Sequence, residues 1–177
     1  AEEDPAQDAV QERSRLIATQ ACRVAANGEE FLERERRDVG LEIEVVCRET
    51  EARLAVSGCA ALIDGHCDLV LVFDIGGGSS ELIWLDLNRS RSGWRRSMAD
   101  RIEAQHCIAA WTSLPVGVVT IAERFGGRHV DAEAFEAMVD YVSGLLEPFE
   151  TEHGFRSRMH NRRVHLLGTS GTVTTVA

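Results

Sequence analysis

The sequence contains no lysine. All 19 of its cationic residues are arginine, set against 29 Asp and Glu, for a net charge of −10. The missing lysine excludes a phosphate loop of the GxxxxGK[ST] type, Schiff-base chemistry and a lysine general base. The acidic balance argues against a nucleic-acid partner, because contacts to a phosphate backbone need clustered cations. It leaves room for a small phosphorylated ligand held by a local site. The cysteines are few and unpaired in pattern. Cys22, Cys47, Cys59, Cys67 and Cys107 make an odd number with no CxxC spacing, which fits reduced, buried thiols and a cytoplasmic location. His160 and His165 stand far from any cysteine, so no zinc site is expected. No apolar run approaches the roughly 20 residues that cross a bilayer. The acidic start "AEEDPAQDAVQE" has no signal core. Neither a membrane partner nor export is therefore expected.

What is present is an alternation of strand-like and helix-like segments. "RSRLIAT" reads as a short strand, and "QACRVAANGEEFLERERRDVG" as a helix that Asn27-Gly28 splits in two. "LEIEVV" has the two-residue period of a half-buried strand, and "RETEARLAVSGCAALID" carries apolar residues at helical spacing. "DLVLVFDI" is an unbroken apolar run of strand length, as suits a strand covered on both faces. "ELIWLDL" reads as the next strand, and the Arg- and Ser-rich stretch from Asn88 to Arg101 as an exposed turn. "HCIAAWTSLPVG" is extended as far as Pro115. "VGVVTIAERFG" and "DAEAFEAMVDYVSGLLEPFETEHG" read as amphipathic helices, "RRVHLLG" as a strand and "TSGTVTTVA" as a helix start. Interleaving of this kind predicts an α/β fold with a covered sheet.

The costliest stretch is "FDIGGGSSEL". Glycine inside regular structure costs roughly 0.5–1 kcal/mol relative to alanine. Three in a row between two strands call for a turn with positive φ or a close approach. The flanking strands argue against a dinucleotide-binding loop, which opens a helix. A hairpin tip lined with N–H groups and two hydroxyls is a concave donor set suited to phosphate. Asp74, at the end of a buried strand beside it, suits Mg²⁺ directly or through water. A plain tight hairpin is the simpler alternative. "LLGTSGT" repeats the plan: apolar strand, glycine, hydroxyls, glycine, helix start. Helix N-termini favour phosphate, although Thr169 or Ser170 would also serve as an ordinary N-cap. Two such loops in one chain point to a phosphate chain gripped from two sides.

"DIGGGSSEL", "SLPVGVVTIAERFG" and "LLGTSGTVTTVA", with "IATQACRVAANGEEFL" and "EIEVVCRETEARLAVSG" upstream, resemble the exopolyphosphatase / guanosine pentaphosphate phosphatase (Ppx/GppA) family of the actin/hsp70/sugar-kinase-like superfamily. The resemblance implies two ribonuclease-H-like lobes with mixed sheets and flanking helices. Residues 1–64 would be the later part of the first lobe and 65–177 the second. It implies Mg²⁺-assisted release of terminal phosphate from polyphosphate, or of the 5′ γ-phosphate from guanosine pentaphosphate. Glu51 matches the glutamate that orients or deprotonates the attacking water, Asp74 the metal-binding acid and Glu81 a further active-site acid. Gly76, Gly77, Gly78 and Ser79 match one phosphate loop; Gly168, Thr169, Ser170 and Gly171 match the last. Arg23 matches an arginine that faces the phosphate chain. Each has an ordinary rival: Glu51 as a solvated helix residue, Arg23 paired with an acid such as Glu49, Glu81 flanking a strand.

The family's opening Asp-x-Gly-Ser hairpin has no counterpart before Arg13, and Ala177 falls early in a helix. The expectation is an internal fragment, inactive alone, whose open sheet edge invites pairing into a homodimer. A kinase or ATPase of the same superfamily, and a non-catalytic polyphosphate or alarmone sensor, are the alternative functions. The choice between polyphosphate and pentaphosphate nucleotide stays open.

Overall fold

The computed structural model describes residues 15–89, 101–127 and 129–176. They fall into two compact units that divide between Cys47 and Arg48.

The first unit holds β1 (Leu16–Ala18), α1 (Gln20–Val24), α2 (Gly28–Asp38) and β2 (Ile43–Val45). β1 and β2 pair in parallel, with Leu16 opposite Ile43 and Ala18 opposite Val45. An exposed ion pair, Arg15 to Glu44, ties the start of this ladder. The helix divides where Asn27-Gly28 predicts, with Asn27 as the N-cap of α2.

The second unit begins with α3 (Arg48–Cys59) and continues through a 3-10 turn (Ala60–Leu62) into β3 (Leu69–Ile75) and β4 (Ser80–Asp86). It goes on with α4 (Arg101–His106), β5 (Ile108–Leu114), α5 (Val118–Arg124), α6 (Ala132–His153), α7 (Phe155–Met159), β6 (Val164–Thr169) and α8 (Ser170–Val176). The four-stranded sheet runs β5-β4-β3-β6. β4 is antiparallel to both neighbours, and β6 is parallel to β3, so the sheet is mixed, as expected. The compact units divide earlier than the expected lobe boundary at residue 64. The reason is that the apolar face of α3 lies on this sheet. The expected turn from Asn88 to Arg101 begins in a 3-10 turn at Leu87–Arg89, and residues 90–100 of it lie outside the described residues.

Side chains alternate across a strand, and here both faces are filled. Val70, Val72, Ile83 and Leu85 are fully buried against Ala52, Val56 and Cys59 of α3, together with Ala104 and Cys107. The opposite face presents Leu69 and Trp84 to Phe149 of α6 and Phe155 of α7. The Trp84 and Phe155 rings stack 4.6 Å apart. α6 is fixed at both ends: the Asp131 carboxylate accepts from the Ala134 N–H at 2.8 Å, and Gly154 closes it at φ 62°. Among the described residues, no helix is long and apolar enough to cross a membrane.

Candidate active site

The acids converge at the end of the face that α3 covers. Asp74 sits on β3 directly across from Glu81 of β4, and on its other side it is in register with Thr169 of β6. Glu81 in turn stands opposite Ser113 of β5. Its side chain is 2% exposed, and the Ser113 hydroxyl donates to its Oε1 at 2.8 Å. Burial pushes the Glu81 carboxyl above its ordinary pKa, and the charges of Glu51 and Asp74 push the same way. The hydroxyls of Ser113 and Ser79 pull against them. Glu51, in the first turn of α3, is thus close enough to Glu81 for its charge to be felt. On the same side, burial drives the Cys59 thiol up to about 11, with the Asp74 charge adding to the push. Glu51, Asp74 and Glu81 therefore share one acidic corner.

Both glycine loops close on that corner. Residues Gly76 to Ser79 form the hairpin tip, tied by the Gly76 N–H to the Ser79 carbonyl at 3.0 Å. Ser79 is 4% exposed and turned toward Glu81. The second loop meets the first through Ser170. Its hydroxyl donates to the Ile75 carbonyl at 2.6 Å, at the foot of the hairpin. Ser170 does so from the left-handed region, at φ 75°. Such a conformation in a residue with a Cβ costs of order 1–3 kcal/mol and is held only where the surroundings over-determine it. Gly168 is glycine for want of space: a Cβ there would come within 2.8 Å of the Phe73 ring and 2.6 Å of Val173. The Thr169 hydroxyl is buried, with no hydrogen-bond partner among the described residues.

Of the residues singled out in the sequence, Glu51, Asp74, Glu81, the hairpin Gly76–Ser79 and the loop Gly168–Gly171 thus lie in one unit, around one strand end. Arg23 lies in the first unit. There its guanidinium donates to the Val46 carbonyl at 2.7 Å and to the Gln20 amide oxygen at 3.2 Å. Two contributors had no assigned role. Ser113 meets Glu81 only through strand register. Gly117, the last residue of "SLPVG", precedes α5, whose first turn touches the hairpin tip.

A family model, described as the Ppx/GppA phosphatase family, matches residues 5–177. The chain belongs to the Ppx/GppA phosphatase family. It is 34% identical over 171 residues to a guanosine-5′-triphosphate,3′-diphosphate pyrophosphatase of Photobacterium profundum, covering 94% of this chain and 29% of that protein. Among solved structures, the PPX-GPPA enzyme of Aquifex aeolicus is 30% identical, with a TM-score of 0.60; the match covers 94% of this chain and 46% of the other. An exopolyphosphatase from Cytophaga hutchinsonii ATCC 33406 is 25% identical, with a TM-score of 0.69, over 92% of this chain and 45% of its own. The chain thus spans less than a third of the curated relative and less than half of the solved Ppx/GppA structures.

The acidic corner suits a hard cation. Its donors are all oxygens: two facing carboxylates, a buried hydroxyl without a partner among the described residues, and a third acid nearby. Among the described residues, no group of three or more His, Cys, Asp or Glu side chains is placed to hold a metal ion. Mg²⁺ asks for less, since it commonly takes one or two carboxylates and fills its shell with water and substrate phosphate.

Proposed function

We propose that the protein is a phosphohydrolase that removes the terminal phosphate of inorganic polyphosphate or the 5′ γ-phosphate of guanosine pentaphosphate. The observation that carries this reading is the Ser170 to Ile75 hydrogen bond, which draws the second glycine loop against the first, beside Asp74. Family membership supports this chemistry, and the name of the relative from Photobacterium profundum supports the nucleotide as one candidate substrate.

Phosphoryl transfer asks a protein for charge neutralisation, alignment and a group that handles the attacking water. In this reading the N–H groups of the hairpin tip and the 168–171 loop hold the phosphate oxygens. Glu51 holds the water and accepts its proton. Asp74 would hold Mg²⁺, directly or through water, and the ion when bound supplies positive charge to the phosphate oxygens. Glu81, kept by Ser113 and Ser79, sets the charge behind Asp74. Arg23 is assigned to the phosphate chain on the strength of the resemblance alone.

The test is Glu51→Gln in the active protein, assayed for phosphate release from tripolyphosphate, guanosine pentaphosphate and ATP. A positioned general base contributes about 10²–10⁴-fold, so kcat should fall by at least about a hundredfold with KM nearly constant. An unchanged kcat removes Glu51 from the reaction. A wild-type preference for ATP over the other two removes the assigned substrate class.

A further inference from the structure

The segment "SLPVGVVT" carries part of the family resemblance, yet only its first residue, Ser113, belongs to the acidic corner. In the structure, α5 has no side-chain cap at its start. Its first turn is capped instead by the hairpin. The Val118 N–H donates to the Gly76 carbonyl at 3.0 Å; those of Val119 and Thr120 donate to the Gly77 carbonyl at 2.9 and 3.3 Å. The approach is close enough to exclude any side chain at Gly117, where a Cβ would collide with the Gly76 carbonyl oxygen and the Gly77 carbonyl group. Two side chains fix the approach. The Ser80 hydroxyl donates to the Val116 carbonyl at 2.7 Å, and the Gly117 N–H donates to Thr120 Oγ1 at 2.8 Å.

The planarity of the peptide bond turns this into a statement about direction. In a trans peptide, the C=O of one residue and the N–H of the next point opposite ways. A Gly76 carbonyl held on α5 therefore turns the Gly77 N–H away from α5, and a Gly77 carbonyl held there does the same for the Gly78 N–H. α5 lies on the side of the sheet where Phe73, Ile75, Leu82, Val118 and Ile121 line a cavity of about 300 Å³. Asp74, one residue on from Phe73, points to the other side. The two N–H groups consequently face the side of Asp74 and Glu81, and they take no hydrogen bond among the described residues. The positive end of α5 also polarises both peptide groups toward stronger donation.

We infer that the first turn of α5, from Gly117 to Thr120, is a positioning element that aims the Gly77 and Gly78 N–H groups at substrate phosphate. The inference rests on the phosphohydrolase reading and names residues that reading leaves idle. Gly117 and Thr120 touch no substrate and act through the hairpin.

The experiment compares Thr120→Val, Thr120→Ser and Gly117→Ala in the active protein with tripolyphosphate. Valine keeps the shape and removes the oxygen that holds Gly117; serine keeps the oxygen. Loss of about one charge-assisted hydrogen bond should raise KM about tenfold in Thr120→Val, with kcat within about twofold. Thr120→Ser should return KM to near the wild-type value, and Gly117→Ala should raise it at least as far as valine does. Tripolyphosphate should shift the Gly77 and Gly78 amide resonances in the wild type and much less in Thr120→Val. An unchanged KM in Thr120→Val, beside an active wild type, overturns the inference and leaves the phosphohydrolase reading standing. So does an equal fall of kcat in both Thr120 variants, which marks lost folding. A wild type that neither binds nor cleaves tripolyphosphate or guanosine pentaphosphate overturns both.

Discussion

The two faces of the four-stranded sheet start alike and end differently. Below, both are apolar: Val70, Val72, Ile83 and Leu85 on one, Leu69 and Trp84 on the other. At the loop end, the first face turns to Asp74, Glu81, Ser113 and Thr169, while the second stays apolar through Phe73, Ile75, Leu82 and Leu114. The same strands supply both, because the side-chain period is two. One face can thus be given to chemistry in its last layer without disturbing the other. The second face does the holding, and α5 on that side reaches over the hairpin tip to set the donors that serve the first.

The division of labour can be broken most severely on the second face. Trp84→Ala should destabilise the fold by about 3–5 kcal/mol, the usual cost of emptying a large buried aromatic site. Turnover per folded molecule should stay near normal. Chemical denaturation read alongside active-site titration checks both, and a loss of turnover in the folded fraction would join the two faces again. Asp74→Asn, on the first face, should do the reverse. It should lower Mg²⁺-dependent turnover by at least about a hundredfold, about 2.7 kcal/mol of transition-state stabilisation, with the melting temperature kept or raised. Turnover as fast as wild type at saturating Mg²⁺ would take Asp74 out of the site.

Glu81→Gln sharpens the contrast further. The Glu81 pKa is raised in the folded state, so its stability contribution is complete below the unfolded value near 4.5 and is lost as pH climbs through the folded value. The amide loses nothing over that window. The variant should therefore melt higher than wild type at neutral pH, and the gap should close in acid. Thermal melts at a series of pH values decide it; a variant melting lower at neutral pH contradicts the raised pKa. The smallest effect belongs to the outer surface of α3, where the Glu49–Arg53 pair is exposed at both ends. Glu49→Ala should cost only about 0.3–0.5 kcal/mol and leave turnover untouched, which sets the baseline against which the buried acids are measured.

Much of this was legible in the sequence. The apolar runs before Asp74 and Gly168 marked β3 and β6, and the glycine-hydroxyl loops after them marked the corner. The reason for the glycines was only half visible. Gly76 and Gly77 are not in the left-handed region, whereas Ser170 is. What permits the close approach of α5 is Gly117, where a Cβ would collide with the Gly76 and Gly77 carbonyls. Ser113 was hidden because its bond to Glu81 depends on strand register, and register is a property of two strands that neither sequence states alone. The apolar stripe of α3 was equally plain, but a stripe does not name the surface it covers.

The facing of Asp74 and Glu81 has a mechanical consequence. Two acids placed directly opposite on neighbouring strands disfavour the native state when both are ionised. In an unfolded chain they drift apart and the penalty vanishes. A divalent ion held by Asp74 would offset that repulsion, so its occupancy would enter the folding equilibrium itself. Chelator should then lower the midpoint of thermal unfolding in wild type and leave Asp74→Asn unmoved, making a calorimeter as informative about this corner as any assay of released phosphate.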